Sequence, residues 1–378
     1  MFPVYALSTV LMIAYAAIFT LLSEMRISFG FSETAIGAIA GSAFLAGFLA
    51  QLSLARFADR GFGQQIMQFG IVCSLVGAIW MCFAESLWAW LAARTILGFG
   101  AGCMRPAVRR LAFVIDPDKA GENLGRLAAW EMVGFLIGPV LSSVLFELGG
   151  IRAPFYLVVI LLLVLVPFVV KVQIPGTNSQ HSTGMRELIK RPAMQSCIAI
   201  GIAFFVAVGV FDAIWAVFIA DLGASQLFIG VSMSLFTLPM ILIAPAAGRL
   251  AARKHVLRLL TLTLCGAAIM MFSYGFIDSI WWICVPLLIH ASLDAMSMPA
   301  MQLAVGYASG EDALATGQGL YGGISLLVGA AASLLSGWVY QYWGAEGLWS
   351  GVTVTMFLLI AFARWRGSYG NWEAQVLK

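Results

Sequence analysis

Five ionisable residues sit inside long apolar stretches of this chain: Arg94, Glu131, Asp212, His290 and Asp294. Each is unfavourable in a hydrocarbon setting, so each is a functional candidate by default. Asp212 stands in Gly209-Val-Phe-Asp212-Ala-Ile-Trp215. An acid held away from water can take up and release a proton as its surroundings change, whereas an acid at the end of a span, with Asp221 following, has no such role. His290 and Asp294 are four residues apart and so share a helix face, as a proton relay or as a static pair that neutralises itself. Glu131 is either a second proton site or an interfacial acid. Arg94 lies about seven residues into its stretch, roughly 10 Å, so it either pairs inside or snorkels to the headgroups.

Aromatic and amphipathic residues join these charges as lining candidates for a cavity. Tyr15 and Phe19 share one helix face, and Gln318, Tyr321 and Ser325 share another, while Trp130 and Trp215 neighbour the acids. A chamber of that kind suits lipophilic, often cationic molecules through apolar burial and cation–π attraction. The same spacing also arises from packing or lipid contact. The six cysteines fall inside apolar runs with no CxxC spacing and read as small hydrophobes, so no metal site or cofactor is expected. No nucleotide loop or nucleophile elbow occurs, which argues against an enzyme.

The elements that must position these residues follow from composition. Of 378 residues 61% are apolar and 10% charged, with mean hydropathy +0.95. Soluble domains carry about 25% charged residues, so the lipid bilayer has to serve as solvent. Apolar runs of spanning length occur at 3–22, 33–55, 66–84, 87–108, 123–148, 151–171, 193–220, 224–247, 256–276, 280–305, 314–341 and 345–364, which predicts twelve transmembrane helices. Residues 1–10 lack a basic leader, so the first run is expected to be a retained helix.

The polar stretch 171–192 reads as a cytoplasmic, flexible linker between an N-terminal six-helix bundle, 1–170, and a C-terminal one, 193–378. An ungapped shift of 193 positions aligns the two, matching Gly37 with Gly230, Arg56 with Arg249, Arg60 with Arg253 and Pro106 with Pro299. Parallel repeats of this kind are a transporter architecture. Of 21 lysines and arginines, Arg94 is inside a span and only Arg26 and Arg152 fall on one side of the membrane. The positive-inside rule then puts both termini and the linker in the cytoplasm of a multi-pass (inner) membrane protein. The small net charge of +3 gives no reason to expect nucleic acid.

The loop after the second run reads Ala55-Arg56-Phe-Ala-Asp59-Arg60-Gly61-Phe-Gly63-Gln-Gln. It resembles the helix 2–3 signature of the major facilitator superfamily, with Ala55 for the leading glycine, one inserted residue before Gly63, and Gln64-Gln65 for the basic pair. Asp59 either latches the cytoplasmic side against a helix end and arginines, with Arg56, Arg60 and Gly63, or belongs to a solvated turn that fixes topology. Arg94-Thr-Ile-Leu-Gly98-Phe-Gly100-Ala-Gly102 is similar to the family's helix 4 pattern. Gly134-Phe-Leu-Ile-Gly138-Pro139, followed by Ser142-Ser143, resembles its antiporter signature with serines for two glycines. Gly98, Gly102, Gly134 and Gly138 would let helices approach closely, and Pro139 would bend its helix.

The resemblance covers the whole chain and implies an all-α fold of two pseudo-symmetric six-helix bundles around a central cavity. It further implies a monomer that works by alternating access on a small-molecule substrate. The leading expectation is a proton-coupled exporter of amphipathic, drug-like molecules. The alternative is a proton-coupled importer, or an exporter, of a polar metabolite such as a sugar or organic acid. A non-transporting receptor or a membrane enzyme is a third class.

Overall fold

The computed structural model describes residues 2–57, 62–114, 120–173, 185–253, 256–309 and 314–369. Within these the chain is helical, with no strand. In order the helices are α1 (Phe2–Phe29), α2 (Glu33–Phe57), α3 (Gly63–Met81), α4 (Leu87–Val114), α5 (Ala120–Gly149) and α6 (Ala153–Val169). They are followed by α7 (Met185–Lys190), α8 (Pro192–Asp221), α9 (Gln226–Arg253), α10 (Val256–Tyr274), α11 (Cys284–Ser309) and α12 (Leu314–Gly367).

Ten of these are long and apolar enough to cross a membrane. A 28-residue helix such as α1 runs about 42 Å, more than the roughly 30 Å of a hydrocarbon core. Helices are the required solution, because each span must satisfy its own backbone where no water is at hand. α6 is apolar but has only 17 residues, about 25 Å. α12 is interrupted at Gly344, whose φ of 64° and ψ of −165° lie outside the helical region. A Cβ is poorly tolerated at that φ, so glycine allows the chain to break there and start again. With α6 counted and α12 split at Gly344, the described residues hold twelve apolar helical segments.

One helix was not expected. Residues 185–190 of the linker form the short α7, with Leu188 buried.

Two compact units emerge. The first comprises Met1–Ser179, Asp212–Thr237 and Ser333–Trp338; the second comprises Gln180–Phe211, Leu238–Ala332 and Val339–Lys378. In the first unit α1 is central, with the side chains from Ala14 to Ser23 all buried. α6 lies at the periphery and presents Ile160, Leu163, Val164 and Phe168 outward. A helix this apolar with that much outward surface is solvated by lipid rather than water.

Glycines set the close approaches inside this unit. A Cβ at Gly98 would come within 2.5 Å of Ala43 Cα, and one at Gly102 within 2.7 Å of Gly47 Cα, so α4 lies backbone to backbone on α2. Gly134 abuts the Thr9 carbonyl, and a Cβ at Gly138 would lie 2.7 Å from Ala16 Cβ, which brings α5 equally near α1. Small residues at such crossings gain dispersion contacts that lipid cannot supply.

Candidate functional site

Arg94 belongs to the first unit. It sits on α4 with no exposed surface. Its guanidinium carbon lies 4.5 Å from the Tyr15 ring centroid and 4.8 Å from that of Phe19, both on α1. The two rings are tilted by 61° at 6.4 Å, and Phe19 stacks in turn on Phe44 of α2 at 6.1 Å. A cation between two aromatic faces recovers part of its lost hydration, on the order of 2 kcal/mol when desolvated. None of Nε, Nη1 or Nη2 has a hydrogen-bond partner among the described residues. Asp212, on α8 in the same unit, is half-buried and close enough to Arg94 for their charges to interact. Arg94 is therefore held inside rather than snorkelling, with aromatic faces and a nearby carboxylate for company.

Glu131 is half-buried on α5 and lies within charge range of Arg109, near the C-terminal end of α4. Trp215 is fully enclosed and donates its indole N–H to Ser232 Oγ at 3.0 Å, tying α8 to α9. Trp130 is exposed, its ring edge-on to Phe2 at 6.0 Å. The two serines of α5 that stand where glycines were anticipated act as hydrogen-bond donors. Ser142 reaches the Ala17 carbonyl at 3.5 Å, and Ser143 reaches that of Gln226 at 2.9 Å. Pro139 lies inside α5, and its carbonyl borders Gly230 of α9.

Another polar cluster joins the C-terminal parts of α1 and α8 to the start of α2. Arg26 pairs with Glu33 at 3.1 Å and with Asp221. Nearby, the buried Gln226 donates to the Thr20 carbonyl at 2.9 Å and accepts from Ser23 at 3.3 Å. In the sequence Arg26, Glu33 and Asp221 carried only topological information. Nothing in their spacing, 195 residues between Arg26 and Asp221, signals that they meet.

The second unit has its own buried polar group. His290 Nε2 stands 3.4 Å from Asp294 Oδ2 on α11, and His290 Nδ1 stands 3.0 Å from the Tyr274 hydroxyl on α10. Phe211 meets the imidazole edge-on, and Trp349 packs on Tyr274. Tyr274 is the member that sequence reasoning missed. Elsewhere in this unit Gln318 donates to the Gln302 carbonyl at 2.9 Å and Tyr321 to Met301 Sδ at 3.1 Å, while Ser325 returns to the Tyr321 carbonyl at 2.7 Å. The Tyr321 ring also presses on Gly201, so Gln318 and Tyr321 bridge α12 to its neighbours α8 and α11.

Of the loop after α2, Asp59 and Arg60 lie outside the described residues, as does the side chain of Arg56. Gly63 is buried at the start of α3. Gln64, which replaces an expected basic residue, donates to the Val170 carbonyl at 3.4 Å, and Gln68 does so at 3.0 Å.

A model of the family described as the Major Facilitator Superfamily matches residues 4–213 and 197–372. The chain is 25% identical over 233 residues to the multidrug resistance protein MdtG of Serratia proteamaculans (strain 568). That match takes in 59% of this chain and spans only 57% of the relative's length. Among solved structures, a bacterial homologue of the human lysosomal transporter Spinster, inward-facing and occupied, superposes with TM-score 0.78 at 17% identity, covering 97% of this chain and 96% of the other. The nucleoside transporter NupG superposes with TM-score 0.74 at 14% identity, covering 97% and 98%. At these identities the two structures speak to the fold alone.

Proposed function

Since the chain belongs to the Major Facilitator Superfamily, we propose that it is a proton-coupled secondary transporter that exports small amphipathic molecules by alternating access. One observation carries the reading: a half-buried carboxylate, Asp212, lies within charge range of a fully enclosed guanidinium, Arg94, that has no hydrogen bond among the described residues. Such a pair is costly in a membrane interior, and it is sensitive to whether the acid holds a proton.

The coupling follows from simple electrostatics. With Asp212 ionised, its charge offsets that of Arg94. With Asp212 protonated, Arg94 loses the offset and the local balance changes by a full unit. A cationic or donor group on the cargo competes with the proton for Asp212, so proton and cargo ride in opposite directions. Tyr15 and Phe19 supply the apolar wall on which an amphipathic body can rest. The multidrug-resistance name of the relative agrees with an export role.

We assign coupling to Asp212 and Arg94 ahead of His290 and Asp294. The latter pair is already engaged with Tyr274 inside the packed second unit, which favours a structural network. Glu131, beside Arg109, fits a charge pair near the membrane surface. The moving bodies in this reading are the halves 1–170 and 193–378, linked by 171–192, with both termini in the cytoplasm of the inner membrane and the chain acting as a monomer. Asp59 with its neighbouring arginines remains the proposed cytoplasmic latch.

Reconstituted vesicles test the proposal. An imposed pH gradient should drive accumulation of a lipophilic cationic dye, and Asp212→Asn should abolish the gradient dependence, with Asp212→Glu retaining part of it. Undiminished gradient-driven transport by Asp212→Asn would remove Asp212 as the proton carrier.

A further inference from the structure

A guanidinium carries five N–H donors in one plane, whereas a cation–π contact uses only its faces. Arg94 spends its faces on Tyr15 and Phe19 and leaves all three nitrogens without an acceptor among the described residues. A fork of donors in an enclosed setting matches a carboxylate in shape and charge, and leaving it unmet is expensive. Asp212 does not fill that place, because among the described residues none of the guanidinium nitrogens has a hydrogen-bond acceptor. Two opposite charges therefore stand near each other in the first unit without closing on one another, beside the aromatic surface of Tyr15, Phe19 and Phe44.

We propose that Arg94 and Asp212 are the two poles of a single cargo site that takes an amphipathic zwitterion: an apolar or aromatic body bearing both a carboxylate and an ammonium group. The carboxylate accepts from the Arg94 fork, the ammonium pairs with Asp212, and the body lies on the aromatic rings. This names the cargo class within the exporter reading and rests on it. The chemistry is compatible with exchange. The ammonium and the proton contend for Asp212, while the carboxylate answers the guanidinium charge that would otherwise be uncompensated. Access to Arg94 requires the surrounding helices to part, as alternating access provides.

The test uses the purified full chain in detergent at neutral pH and three matched probes: naphthylalanine, its methyl ester and its N-acetyl derivative. They share one aromatic body and present a zwitterion, a cation and an anion. Calorimetric titration should show the zwitterion binding about tenfold or more tightly than either of the others, the increment expected of one charge-assisted pairing. Arg94→Gln should bring the zwitterion to the level of the ester, Asp212→Asn should bring it to that of the N-acetyl derivative, and Arg94→Lys should retain part of the preference. Affinity ratios measured on one preparation do not depend on how much of a variant has folded.

Equal binding of ester and zwitterion by the unsubstituted protein would overturn the proposal, as would an unchanged ratio in Arg94→Gln. Parallel vesicle assays separate the two layers. If the ester alone still moves against a pH gradient with no zwitterion preference, the exporter reading stands and the dipolar site falls. If the zwitterion preference is present but no probe responds to the gradient, the site stands and the exporter reading falls.

Discussion

Replacing Gly98 with alanine should weaken the protein, whereas the same change at Gly47 should not, although both glycines lie on the α2–α4 interface. A Cβ at Gly98 would meet Ala43 Cα at 2.5 Å and the Ala43 carbonyl oxygen at 2.7 Å. Carbon atoms in ordinary contact stand about 3.5–4.0 Å apart, so α2 and α4 would have to separate by roughly 1 Å. The atoms met are backbone and cannot swing aside. Overpacking of this kind costs about 1–3 kcal/mol, and a backbone clash belongs at the upper end. Alanine returns about 0.5–1 kcal/mol through helix propensity, leaving a net loss of about 2 kcal/mol. At Gly47 the nearest atom to a new Cβ is the Gly98 carbonyl oxygen at 3.6 Å, an ordinary contact, so only the propensity gain of about 0.5–1 kcal/mol remains. Equilibrium unfolding in mixed micelles, followed by helical ellipticity, should separate the two variants by about 2.5–3 kcal/mol. If Gly98→Ala proves as stable as Gly47→Ala, the close backbone contact is not what glycine provides there.

Three further outcomes are expected. Tyr274→Phe removes the hydroxyl 3.0 Å from His290 Nδ1 and should cost about 1–3 kcal/mol in the same unfolding assay while leaving gradient-driven transport intact; loss of coupling with unchanged stability would move the proton site to His290. Gly344→Ala forces a Cβ onto a backbone with φ of 64° and should destabilise by about 1 kcal/mol, against no change if the break in α12 is not needed. Glu85→Gln opens the exposed pair with Arg152, now 2.6 Å apart, and should alter neither stability beyond about 1 kcal/mol nor transport, as vesicle uptake would check.

The membrane character, the all-helical architecture and nearly every helix could be read from the chain itself. Hydropathy is a local property, and a segment in lipid has to satisfy its backbone within its own helix, so each span declares itself without reference to its neighbours. The glycines of α4 and α5 were equally legible, because only the smallest residues permit such approaches and they stand out at helical spacing. Tertiary structure decided the direction in which each helix faces. In water an apolar stripe marks the buried side, but in a bilayer both lipid and protein core are apolar, and the pattern loses that meaning. Hence Trp130 turned outward while Trp215 went inward to Ser232, and Tyr274 joined His290 from another helix. For the same reason the placing of Arg94 between Tyr15 and Phe19, within charge range of Asp212, depends on the rotation of three helices that no local spacing records.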